Sequence, residues 1–258
     1  MLTSVIGYPR IGAARELKFW TEDYFKGAVS GEQLRADAKE LRLKQIRTQK
    51  DQGIDLIASN DFSFYDGMLD TAALMGVIPE RYRALELNEL DTYFAMARGY
   101  QGEKGDVKAL PMRKWFNTNY HYIVSGLDDD THIKLSGTKP FDEFQEAQKE
   151  GILTKPVVIG PFSFLKLSQF KGKRRMQDYA EEIIQAYTDL LTQMDTLGVQ
   201  WLQIDEPILV TDLNASDIAF FTQLYAALLK HKGRLNLFWR YPRLLRGGNC
   251  AGFRRDWP

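Results

Sequence analysis

Arg15 and Lys18 stand three residues apart in the run GYPRIGAARELK, residues 7–18. On a helix that spacing puts both cations on one face, where they could grip a run of carboxylates. Asp205 and Glu206 are adjacent in QIDEP, and Pro207 blocks further strand pairing behind them. Paired carboxylates at a sheet mouth suit acid/base work or cation binding, and a purely structural role stands beside that reading. The segment Asn60–Asp66, NDFSFYD, follows an apolar run and reads either as a loop that builds a site or as a polar turn with aromatic anchors. Lys114 opens an aromatic run, and a single lysine beside a strand is ordinarily solvated. His121, His132 and His231 are far apart and Cys250 sits near the end, so the spacing of a three-ligand catalytic zinc site is not found. His121 in its aromatic surroundings reads as a packed or hydrogen-bonded side chain. GYPRIG lacks the third glycine and the distal acid of a dinucleotide fingerprint, and no phosphate-binding glycine loop occurs.

Elements able to position these residues alternate along the chain. Short β-branched runs at 4–9, 54–60, 114–122, 155–161 and 199–207, with a weaker one at 234–238, read as strands. Between them, Gly31 to Gln52 and Met176 to Gly198 read as helices, the second with Ile183, Ile184, Tyr187, Leu190, Leu191 and Met194 at steps of three and four. Two or so further helices fit between Asp66 and Lys104. Repeated βα units of this length predict an α/β fold, a TIM-type (β/α)8 barrel with helical insertions, incomplete because about six of eight strands are visible.

At 258 residues and 44% hydrophobic content the chain can bury a full core as one large domain. Lys+Arg and Asp+Glu balance at 34 each, which removes the basic excess of a nucleic-acid binder. One cysteine excludes an internal disulfide, no run reaches membrane-spanning length, and the first residues lack a secretory pattern. The expectation is a cytoplasmic protein with neither nucleic acid nor membrane as partner.

The motif GYPRIG followed by RELK, the loop NDFSFYD, the run KWFNTNYHY and the strand end QIDEP occur in an order that resembles the N-terminal domain of cobalamin-independent methionine synthases, over residues 3 to about 237. Asn60 stands where that family usually has glycine. The resemblance implies a methyltransferase that moves a methyl group from 5-methyltetrahydropteroyltri-L-glutamate to homocysteine. It further implies that Arg15, Glu16, Leu17, Lys18 and Lys114 hold the glutamate tail of the folate, and that the zinc of the full-length family is held by a C-terminal barrel not present here. No catalytic residue and no metal ligand is then expected in this chain. In the family's second barrel a glutamate lies six residues beyond the Asp that matches Asp205; here that position is Thr211, so QIDEP is expected to be a structural relic of duplication.

The last residues, from Leu237 on, abandon both the βα pattern and the resemblance. Codons compatible with this stretch, read one base later, can spell a Tyr-Phe-Gly-Asp start and a further βα unit, with Trp239 and Trp257 each forcing a glycine. The expectation is a partial folate-binding barrel over 1–237 and an out-of-frame tail over 238–258, the product of a single-base frameshift near Leu237. Two other classes remain open: a stand-alone folate-binding module or non-functional gene fragment, and a single-barrel methyltransferase of the same superfamily.

Overall fold

The computed structural model describes residues 2–240. The helices are α1 (Glu16–Phe25), α2 (Gly31–Asp51), α3 (Gly67–Leu74), α4 (Glu80–Arg83), α5 (Glu89–Arg98), α6 (Lys139–Lys149), α7 (Pro161–Leu167), α8 (Ala180–Thr196) and α9 (Ala215–Leu228). The strands are β1 (Ile57–Ser59), β2 (Tyr100–Gly102), β3 (Gly105–Val107), β4 (Met112–Lys114), β5 (His121–Ile123), β6 (Gly126–Leu127), β7 (Thr154–Ile159), β8 (Gln169–Phe170), β9 (Trp201–Asp205) and β10 (Asn236–Arg240).

The principal sheet is parallel, in the order β1-β7-β9-β10. A single parallel bridge, Ser4 to Leu56, extends it beyond β1. Strand order follows chain order, and each step is a crossover through helices. Register places Val157 opposite Gln203 and Ile159 opposite Asp205. Because side chains alternate along a strand, Lys155, Val157 and Ile159 share one face with Gln203 and Asp205. The other face carries Val158, Leu202 and Ile204, which pack in one apolar cluster with Ile183, Leu190 and Leu191 of α8 and Phe220 and Leu224 of α9. Full burial of each such side chain stabilises by roughly 1.5–3 kcal/mol. A second cluster joins Leu34 of α2, Leu69 of α3, Leu90 and Phe94 of α5 and Ile123 of β5.

The long helices follow their sequence pattern. In α2 the buried positions Leu34, Ala38, Leu41 and Ile46 form the inward stripe, and Ser30 caps the start by accepting the Gln33 N–H at 3.1 Å. The run from Met176 begins as a 3-10 turn, Met176–Tyr179, then becomes α8. Gly198, at φ +79, ends that run in a conformation that glycine adopts without penalty.

Three strand expectations need correction. Residues 4–9 give only the Ser4 bridge. The aromatic run 114–122 is no strand of the sheet but a hairpin, in which Lys114 of β4 faces His121 of β5 across an antiparallel pair. Phe116 sits at φ +53, which breaks the alternation, and the turn closes by the Trp115 N–H donating to Tyr120 O at 2.8 Å and Thr118 Oγ1 to Trp115 O at 2.7 Å. The last strand is displaced from 234–238 to 236–240, so Phe238, Trp239 and Arg240, assigned above to the tail, finish β10. In place of about six strands of a barrel, the principal sheet of the described residues has four paired strands and one bridge, the other six strands pair two by two apart from it, and no closed barrel forms among the described residues. The rest of the tail, 241–258, lies outside the described residues, as does Cys250.

Candidate functional site

The carboxyl ends of the parallel strands open onto a cleft of about 830 Å³. Its walls come from the segment Ile6–Arg10, from the loop after β1, from α3, from the β4–β5 hairpin through Trp115, Tyr120 and His121, and from Asp205 and Arg240. In parallel α/β sheets this end is where loops build binding sites.

The loop after β1 is fixed by its own sequence. Asn60 sits at φ +57, in the left-handed region that favours glycine and that asparagine tolerates better than most residues. Its Nδ2 donates to Val157 O at 2.7 Å and its Oδ1 accepts from Lys139 Nζ at 2.8 Å, which ties the turn to β7 and α6. Asp61 Oδ2 accepts the Tyr8 N–H at 2.7 Å, and Arg10 Nη1 donates to Ser63 O, so the first strand segment is pinned to this loop. Asp66 caps α3 by accepting the Met68 and Leu69 N–H groups at 2.8 and 3.1 Å, and its other oxygen takes the Ile123 N–H at 3.0 Å. Burial pushes the Asp66 carboxyl up to about 6 in spite of those donors.

Lys139 is the polar centre of the cleft wall and was not singled out by the sequence reading. Its ammonium lies 3.2 Å from both Asp70 and Glu143. Burial disfavours the charged ammonium, but Glu143 and Asp70 outweigh it and raise Lys139 above its ordinary range. The Lys139–Glu143 spacing of one helical turn was legible; Asp70 and Asn60, remote in sequence, were not. Arg42 extends the network from α2, at 2.8 Å from Glu146 and 3.6 Å from Glu143.

The two carboxylates of QIDEP diverge. Asp205 lines the cleft, accepting from Gln203 Nε2 at 2.8 Å and from Arg240 Nη1 at 3.3 Å. Burial raises its pKa, against the hydrogen bonds and charges of Gln203 and Arg240. Glu206 turns away from the cleft and is 1% exposed. It accepts the Phe162 and Ser163 N–H groups at 3.2 and 2.7 Å and the Tyr225 hydroxyl, clamping α7 and α9 to the end of β9. Removal from water outweighs these donors and pushes Glu206 up to about 7. With its oxygens facing protein donors, this group is placed to hold helices together.

Of the residues expected to hold a glutamate tail, Arg15 is the N-cap of α1 at φ +61, outside the helix proper, so the expected shared helical face with Lys18 does not form. The left-handed residue turns the chain into α1 and leaves Arg15 exposed. Lys18 is exposed and lies 3.7 Å from Glu22 one turn on, a pair of little energetic weight at the surface. Glu16 bends back to accept the Ala14 N–H at 2.9 Å. Leu17 is buried, 2% exposed, against Ala38, Leu41 and Phe62. Lys114 is exposed at the end of β4. The segments that carry these residues border the cleft, through Arg10 on one side and through His121, the cross-strand partner of Lys114, on the other.

Among the described residues no group of three or more His, Cys, Asp or Glu could hold a metal ion. His121 is an exposed hairpin residue, His132 lies exposed 3.6 Å from Glu182, and His231 is exposed in a 3-10 turn. The residues described do not fit a zinc centre. Nor is any described helix long and apolar enough to cross a membrane.

Residues 2–241 match the family described as cobalamin-independent synthase, N-terminal domain. A 5-methyltetrahydropteroyltriglutamate–homocysteine methyltransferase of Streptococcus thermophilus is 51% identical over 237 residues, 92% of this chain and 32% of the relative. One from Bifidobacterium adolescentis is 55% identical over 233 residues, 88% of this chain and 30% of the relative. The chain thus spans about a third of the length of these curated relatives. Among solved structures, a putative vitamin-B12 independent methionine synthase from Listeria monocytogenes superposes with a TM-score of 0.56 at 13% identity, covering 92% of this chain and 63% of that one. At that identity the likeness speaks for the fold alone.

Proposed function

This chain belongs to the cobalamin-independent synthase family, as its N-terminal domain, and we propose that it supplies the folate-tail subsite of a homocysteine methyltransferase. The ligand is 5-methyltetrahydropteroyltri-L-glutamate, and the residues that meet its γ-linked carboxylates are Arg15, Lys18 and Lys114, with Glu16 and Leu17 fixing the α1 start that presents Arg15 and Lys18. The observation that carries this reading is that exposed cations stand on segments whose neighbouring residues, Arg10 and His121, line the cleft: among the described residues Arg15 and Lys114 make no ion pair, and Lys18 makes only a loose surface one. Leu17 acts from the core, by anchoring α1 against α2 and the loop after β1.

In this reading the cleft is the mouth of a TIM-type barrel. Chain-ordered parallel strands with crossover helices over one face are what a barrel requires, and a doubly wound sheet would reverse its order. Homocysteine and the zinc implied by the family belong to sequence outside this chain, so the chain alone binds the donor's tail and transfers no methyl group, in the cytoplasm. Residues 1–237 form the folate-binding part and 238–258 an out-of-frame tail in this reading; the family match runs to residue 241 and β10 to Arg240, both past that boundary. Calorimetric titration of the purified chain with tri- and monoglutamate forms of the folate tests the proposal. Tighter binding of the triglutamate supports it, and equal affinities oppose it.

A further inference from the structure

Between α2 and the loop after β1 lies a second, much smaller space of about 10 Å³, lined by Arg42, Gln45, Ile46 and Gln49 of α2 and by Tyr8, Ser59, Asp61, Glu143 and Glu146. That is about the volume of one water-sized sphere. Two atoms of its lining residues are buried without a hydrogen-bond partner among the described residues, Gln49 Oε1 and Arg42 Nε. Gln49 is 5% exposed, and its own amide nitrogen is used on Gln45 O at 3.2 Å, which leaves its oxygen buried without a partner among the described residues. Arg42 is engaged with Glu146 through Nη2, while its Nε lies 3.6 Å from Glu143, beyond hydrogen-bonding distance. A buried donor and a buried acceptor left unmade each cost stability, so a folded chain rarely keeps both.

We infer that this space is a binding site for a single ordered water, which donates to Gln49 Oε1 and accepts from Arg42 Nε. The lining chemistry selects the occupant. A cation would meet the Arg42 guanidinium, and an anion would meet Asp61, Glu143 and Glu146; only a small molecule that both donates and accepts satisfies the two orphan atoms. Ser59, whose hydroxyl accepts from Thr154 Oγ1 at 2.8 Å and retains its own proton, and Asp61 supply the remaining partners. Three or four such contacts are what buried waters ordinarily make. The site has a structural consequence for the cleft. Asp61 Oδ2 holds the Tyr8 N–H at 2.7 Å, and a water on the same carboxylate fixes its rotamer and with it the Tyr8–Arg10 wall. The water thus couples α2 to the cleft without being part of it.

The test is an atomic-resolution crystal structure of the whole chain, with a parallel structure of Gln49→Leu. The expected result is one well-ordered peak within hydrogen-bonding distance of Gln49 Oε1 and Arg42 Nε, with the thermal factors of the surrounding core. In Gln49→Leu the peak is absent, and the Tm falls by about 2–4 °C. An empty site in the wild type overturns the inference, as does a Gln49 amide rotated to bond Arg42 directly. Anomalous signal at this point after bromide or rubidium exchange overturns it too, by making the occupant an ion. If Gln49→Leu does not fold, the wild-type density alone decides.

Discussion

Lys139 and Glu143, one turn apart on α6, are joined at 3.2 Å at the point where the cleft wall meets the buried network of Arg42. Glu143 also accepts the Asn60 N–H at 3.1 Å, so the pair fixes the loop that frames the cleft. Replacing Lys139 with Met leaves Glu143 and Asp70 short of a counter-charge. The expected loss is about 2–3 kcal/mol, below that of a wholly enclosed pair because Lys139 is partly solvated. Adding Glu143→Gln should restore part of it. Urea unfolding of the single and double variants measures the coupling, and strictly additive losses would remove the network from the account.

Asn60 offers a separate reading of backbone strain. At φ +57, Asn60→Ala loses the two side-chain hydrogen bonds and keeps a Cβ in the left-handed region, which alanine tolerates less well than asparagine, whereas Asn60→Gly loses the bonds but also removes that Cβ. The glycine variant should be more stable than the alanine variant by about 1 kcal/mol. Equal stabilities, measured by chemical denaturation, would mean that the loop relaxes out of this conformation.

Glu206 ties stability to pH. Its folded carboxyl is raised to about 7 by burial, so between about pH 4.5 and pH 7 the folded state holds a proton that the unfolded chain has released. The stabilisation is complete below that window and is lost as pH rises through it. Glu206→Gln should cost about 1–3 kcal/mol at low pH, because its amide would face the N–H donors of α7. The gap between wild type and variant should then narrow by about 1–3 kcal/mol from about pH 5 to about pH 8. A gap that widens with pH would show that the donors outweigh burial. Asp66, raised to about 6, acts in the same direction in a lower window.

What the sequence could say depended on how far apart the interacting residues lie. The inward stripes of α2 and α8 and the β7 and β9 runs were legible because each is a local pattern with one face in the core. The run 114–122 misled because alternating aromatic and polar residues fit a strand and a tight hairpin equally well; Phe116 in the left-handed region decides it, and no pattern announces that. Arg15 and Lys18 were read on one helical face, but α1 starts one residue later. Asp205 and Glu206 looked like a pair, yet successive side chains at a strand end point apart, one into the cleft and one beneath α7. Lys139 was missed because its partners Asn60 and Asp70 come from elsewhere in the chain.

Binding of the folate tail is the central claim, and Lys114 tests it most directly, because it is exposed and among the described residues makes no ion pair whose loss would disturb the fold. Isothermal titration of wild type, Lys18→Ala and Lys114→Ala with tri- and monoglutamate forms of the folate separates the tail from the rest of the ligand. The account predicts that each variant weakens triglutamate binding by about 1–3 kcal/mol while monoglutamate binding changes little. Equal losses for both ligands, or triglutamate affinity unchanged in both variants, would contradict it.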